Sequence, residues 1–115
     1  MYTVQEHSIN GIRIAEVSSD KLLIGNIQDA LDLLVELYYQ GFDKIIIGED
    51  HLIPDFFDLK NKMAGEILQK FSNYKMRLAV IGNFSYESKS LKDFIYECNK
   101  GKLVNFVNTL SEALN

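Results

Sequence analysis

The chain has 115 residues, of which 47% are apolar and 24% charged, and its formal net charge is −4. That length bounds one domain over residues 1–115, and the composition excludes an extended disordered chain. Lysines scattered among carboxylates exclude a basic stripe able to release counterions from a phosphate backbone, so no nucleic-acid partner is expected.

Residues 3–9 and 12–17 flank Asn10-Gly11, the dipeptide suited to the positive φ angles of a two-residue hairpin turn. In the second arm Ile12, Ile14 and Ala15 are set against Arg13 and Glu16, the pattern of a half-buried strand. After the polar break Ser18-Ser19-Asp20, residues 22–24 read as strand or loop. Asn26 is placed to cap a first helix, with Asp29 answering three residues on. Its predicted core stripe is Ile27, Ala30, Leu31, Leu34, Leu37 and Tyr38, and Gly41 stops it. Residues 44–48 contain three successive isoleucines, a run that suits a strand covered on both faces.

A second helix is predicted to begin near Asp55 or Asp58, with Pro54 at its entry and both carboxylates favoured by the helix dipole. Leu59, Met63, Ile67, Leu68 and Phe71 form its apolar face, and Asn73 ends it. Gly65 breaks the pattern: a mid-helix glycine costs about 1 kcal/mol against alanine, which implies a close approach of this helix to the sheet or a neighbouring backbone. Residues 77–81 are the next buried strand, closed by Gly82-Asn83. Ser88 or Ser90 caps a third helix with inward Leu91, Phe94, Ile95 and Cys98, ended by Gly101. Residues 103–107 form the last strand, and Thr109 with Glu112 has the spacing of a capping box for a short final helix through Leu114. The sum is an α/β domain: a single mixed, mostly parallel β-sheet with an N-terminal β-hairpin and about four helices.

The lone cysteine, Cys98, has no internal disulfide partner, which fits a reducing compartment. No basic leader with an apolar run opens the chain, and no later apolar run nears the ~20 residues that span a bilayer. A cytoplasmic location without membrane insertion is therefore expected.

The stretches NGIRIAEV, IQDALDLL, YYQGFDKIII, PDFFDLKNKMAGEILQKFSNY and SKSLKDFIYECNKG resemble a small bacterial family known only as domain of unknown function 4180. The resemblance covers nearly the whole chain and implies no activity. More distantly, element order and size resemble the STAS domain of anti-sigma-factor antagonists and sulfate transporters, a right-handed β-α superhelix that implies a protein-interaction switch. The Asp-Ser-Ser-Gly phosphorylation motif of STAS domains is missing. Aligned on Phe57-Asp58, its positions fall on Leu59, Lys60 and Asn61, which carry no hydroxyl. The serines Ser85, Ser88 and Ser90 belong to a different helix start.

Glu49, Asp50 and His51 follow a buried strand at the carboxyl edge, where open α/β sheets place ligands. With Asp55 and Asp58 they are candidates for acid-base work or cation binding, against the alternative of a solvated loop with two capping carboxylates. No HExxH, Walker A or GxGxxG pattern occurs, so no metal, cofactor or catalytic set is expected. Cys98 lies on an apolar stripe and reads as a small buried hydrophobe, while His7 reads as an exposed strand residue without a partner.

Phe56 and Phe57 at the helix entrance place either both rings in the core or one toward a partner, and Tyr38 and Tyr39 raise the same question, with Tyr39 the outer one. The leading expectation is a non-enzymatic, STAS-like domain that binds an unidentified protein through residues 55–61, namely Asp55, Phe56, Phe57, Asp58, Lys60 and Asn61 with their neighbours. The rival is a small-molecule or metal-binding enzyme using Glu49, Asp50, His51 and Asp55, favoured if a pocket converges on them. Self-association as a homodimer is the third.

Overall fold

Asn10 and Gly11 take φ of 53° and 80°, the left-handed pair that turns a chain back with the twist of its strands. They join β1 (Thr3–Ile9) to β2 (Ile12–Ser18) in antiparallel register, Ile9 opposite Ile12. From β2 onward all pairing is parallel, with β3 (Lys44–Gly48), β4 (Arg77–Ile81) and β5 (Val104–Val107) added in turn, so the order across the sheet is that of the chain. The computed structural model describes residues 2–115.

Each parallel step is returned by a helix: α1 (Ile27–Tyr39), α2 (Met63–Tyr74) and α3 (Lys89–Lys100). When strand order follows chain order, crossovers of one hand set every helix on the same face. Leu34 and Leu37 of α1 and Ile67 and Phe71 of α2 accordingly share a core with Ala15, Ile45, Ile47, Leu78, Val80 and Phe106, the strand residues that point to that side. The opposite face carries Ile14, Ile46 and Ala79, and α4 (Leu110–Ala113) covers it through Ala113, with Leu110 and Leu114 alongside. Thr109 caps that short helix by accepting from Glu112 N. Lys44, also on this face and 2% exposed, donates from Nζ to the carbonyls of Ala113 and Asn115.

The two sheet edges are finished differently. Along β5 the Asn99 amide takes both outward backbone groups of Phe106, accepting from its N–H at 2.7 Å and donating to its carbonyl at 3.1 Å. β1 is exposed from Thr3 to Glu6.

Three expectations are corrected. The second helix starts at Met63 rather than near Asp55 or Asp58; residues 54–57 and 59–61 form separate tight turns, and Lys62 at φ 64° breaks the chain before the helix. The reason is aromatic burial, since Phe56, Phe57 and Leu59 all turn toward the core and in an α-helix would spread over about 160° of its circumference, wider than the ~100° stripe of an ordinary surface helix. Gly65 makes no close approach: it is exposed, a Cβ there would meet nothing within 4 Å, and Ala64 is the buried neighbour. His7 is half-buried and holds Glu16 across the hairpin, Nε2 to Oε1 at 2.8 Å.

Candidate functional site

β3 ends in Gly48 and β4 is followed directly by Gly82 at the carboxyl edge, and those two glycines let acidic side chains fold back over the strand ends. A Cβ on Gly48 would lie 2.6 Å from Asp50 Oδ1, and one on Gly82 would lie 2.5 Å from Glu49 Oε1. Glu49 then bridges to the segment after β4: Asn83 N–H donates to Oε1 at 3.1 Å and the Tyr86 hydroxyl donates to Oε2 at 2.6 Å. Burial first, and the carboxylate beside it second, push the Tyr86 phenol well above its ordinary value.

His51 does a different job. Its Nδ1 accepts from Gly48 N–H at 2.9 Å, so Nε2 carries the proton that the Ser19 carbonyl receives at 3.1 Å. The buried ring thereby ties the end of β3 to the segment after β2. Residues 22–24 run beside the next few residues, with Leu23 and Ile24 N–H on the His51 carbonyl, Ile53 N–H on Ile24 O, and a parallel bridge between Ile24 and Leu52.

Between these two segments opens a cleft of about 410 Å³. Leu22, Leu52, Pro54 and Phe57 form its apolar walls, and Glu49, Asp50 and Tyr86 complete the lining. The Tyr86 ring stacks on Phe57, centroids 5.4 Å apart and planes 25° off parallel. Behind them Phe56 is fully buried, edge-on to Phe57, and Phe84, Phe94 and Phe106 continue the aromatic cluster into the core.

A family model described as Domain of unknown function (DUF4180) matches residues 9–115. The chain belongs to that family. A search among curated proteins finds no match.

In this DUF4180 domain the sequence-predicted residues divide into three groups. Glu49, Asp50 and Phe57 meet at the cleft. His51 and Phe56 are buried, the first as a backbone clip and the second as a core ring. Asp55, Asp58, Lys60 and Asn61 are exposed on the two tight turns and outside the cleft lining: Asp58 Oδ1 accepts from Lys60 N–H at 3.3 Å, and Asn61 donates to Asp55 O at 2.7 Å while accepting from Met63 N–H at 2.8 Å. Among the described residues no three His, Cys, Asp or Glu side chains are grouped to hold a metal ion, and no helix is long and apolar enough to cross a membrane.

The Cys98 thiol is half-buried, and burial, then the Glu97 charge, raise its pKa. A raised thiol is the less reactive form. Tyr39 is 78% exposed and Tyr38 43%, their rings edge-to-face. Sequence reasoning missed Leu22, Leu52, Pro54 and Tyr86. The first three carry no polar signal, and Tyr86 lies 37 positions from the carboxylate it binds.

Proposed function

We propose that this DUF4180 domain is a non-enzymatic, STAS-like recognition module of the cytoplasm that binds another protein at the carboxyl edge of its sheet. The supporting observation is the cleft itself. Four apolar walls and a stacked aromatic pair converge there on two carboxylates, with no nucleophile-base pair and no grouped metal ligands. An apolar side chain of the partner seats in the cleft, and its flanking donors meet Glu49 and Asp50. The order of hairpin first, then alternating helices and parallel strands, is the architecture that the STAS resemblance implies and lends support to a regulatory role.

The test begins with capture from native lysate, followed by affinity measurement with the purified partner. Leu22→Lys places a positive charge in an apolar wall at a residue 49% exposed, so the fold tolerates it. Loss of binding with Leu22→Lys, and wild-type binding with Tyr96→Ser on the outer side of α3, is the expected result. A partner that binds Leu22→Lys as tightly as wild type, or no partner at all, overturns the reading. A second reading, a free small-molecule ligand without metal, is favoured by the cleft volume of about 410 Å³, which falls in the range of small-molecule sites.

A further inference from the structure

We infer that the carboxyl-edge cleft selects an organic cation on an apolar arm, in a protein partner the side chain of a lysine or arginine. This deepens the recognition reading and rests on it. The charged side chains of the lining are Glu49 and Asp50, both acidic, and no Lys, Arg or His is among the lining residues. An anionic ligand would therefore enter against two like charges without a counter-charge, whereas a cation meets charge complementarity on arrival.

The walls make the same selection. Phe57 and Tyr86 stack at 5.4 Å, and Phe84 continues the row at 6.5 Å from Tyr86, so an aromatic surface borders the carboxylates. Aromatic rings attract a cation within about 6 Å of their centroids, and aromatic rings beside carboxylates favour alkylated ammonium and guanidinium groups over bare metal ions. Leu22, Leu52 and Pro54 supply the surface that an aliphatic stem covers.

The two carboxylates contribute differently. Glu49 is already held by the Tyr86 hydroxyl at 2.6 Å and by Asn83 N–H at 3.1 Å, which fixes its position without neutralising its charge. Asp50 is exposed, and among the described residues its carboxylate accepts no hydrogen bond and forms no ion pair. Asp50 is thus the free acceptor and Glu49 the fixed one, with the aromatic pair between the cleft and the core.

The test uses the intact protein and three probes that share one arm and differ in head group: hexylammonium, hexanol and hexanoate. NMR titration follows the methyl groups of Leu22 and Leu52 and the ring of Tyr86. Hexylammonium binds about tenfold more tightly than hexanol, hexanoate binds more weakly than hexanol, and added salt weakens the ammonium alone. In Asp50→Asn with Glu49→Gln the ammonium affinity falls to that of hexanol, while hexanol affinity is unchanged. Asp50→Asn alone, at an exposed side chain that the fold does not use, lowers it by part of that factor and guards against a folding defect in the double variant.

Equal binding of the three probes, or no perturbation by hexylammonium at tens of millimolar, overturns the inference. Loss of partner binding in Leu22→Lys without any head-group preference overturns the cation selectivity and leaves the recognition reading standing. Ammonium selectivity combined with a partner indifferent to Leu22→Lys supports the selectivity and overturns the protein-docking reading in favour of a free amine.

Discussion

Substituting Gly82 by alanine unlatches the segment that forms one wall of the cleft. The new Cβ would lie 2.5 Å from Glu49 Oε1, 2.6 Å from its Cβ and 3.0 Å from its Cδ. Contact with the glutamate Cβ, near the backbone, cannot be relieved by swinging the carboxylate alone. The backbone at Glu49 or Gly82 has to shift, and the hydrogen bonds from Tyr86 and Asn83 to the carboxylate are broken with it. A hydrogen bond to a charged group contributes ~1.5–3 kcal/mol when part-buried, as at Tyr86, whereas the exposed Asn83 N–H regains most of its bond from water. Gly82→Ala should therefore destabilise the domain by about 2 kcal/mol in urea unfolding. Glu49→Gln, which keeps the shape and exchanges a charge-assisted bond for a neutral one, should cost about 1 kcal/mol. Tyrosinate absorbance supplies an independent readout, with the Tyr86 component assigned as the one missing in Tyr86→Phe. Both variants lower its pKa from the raised wild-type position, because the carboxylate's share of the shift disappears while burial remains. Wild-type stability of Gly82→Ala together with an unaltered Tyr86 titration would refute the latch.

Gly65→Ala adds a methyl group in open space on an exposed helix surface, so stability should rise by about 1 kcal/mol in the same urea assay. Phe56→Ala empties a fully buried aromatic site and should cost ~3–5 kcal/mol. Stability should also vary with pH. The Lys44 pKa is lowered from 10.5 to about 8, by burial first and by the Arg77 charge second, so across that window only the unfolded chain holds the proton and stability rises with pH. The Lys44 share of the gain between about pH 7 and about pH 9.5 is ~2 kcal/mol, offset in part above about pH 9 where the unfolded chain ionises the Cys98 thiol that the fold keeps protonated; Lys44→Met should abolish the gain and leave that fall. Tyr2 is raised from 10.0 to about 12 by burial and then by the nearby Glu36 carboxylate, and Tyr86 is raised as well. Above pH 10 the unfolded chain therefore loses phenolic protons that the folded one keeps, and stability falls in both wild type and Lys44→Met.

Much of the fold was legible because its signals are local. Asn10-Gly11 specifies its own turn, the isoleucine run of β3 suits a strand covered on both sides, and the caps Asn26, Ser88 and Thr109 each bind an amide three residues away. The start of α2 was not legible, because Pro54, Asp55 and Asp58 satisfy helix-entry chemistry equally well in tight turns, and the burial of Phe56 and Phe57 decides between the two. At the candidate site the acids after β3 stood out by charge and by their place at a strand end. Their company did not: Leu22 and Tyr86 reach Glu49 only through the stacking of three segments, and a buried His51 held by Gly48 and Ser19 looks in sequence like a member of the acidic group. Gly65 misled for a related reason, since a glycine that packs closely and one that merely faces water are written with the same letter.

The amide of Asn99 occupies the outward backbone of Phe106 on one border of the sheet, while the border at Thr3 to Glu6 is uncovered. A head-to-tail ribbon, in which the first strand of each copy zips onto the last strand of the next, is thereby barred at one of its two ends. Copies that met through their strands would be left with first-on-first contact, and such contact would use up both open borders at once. Growth of that kind would terminate at two.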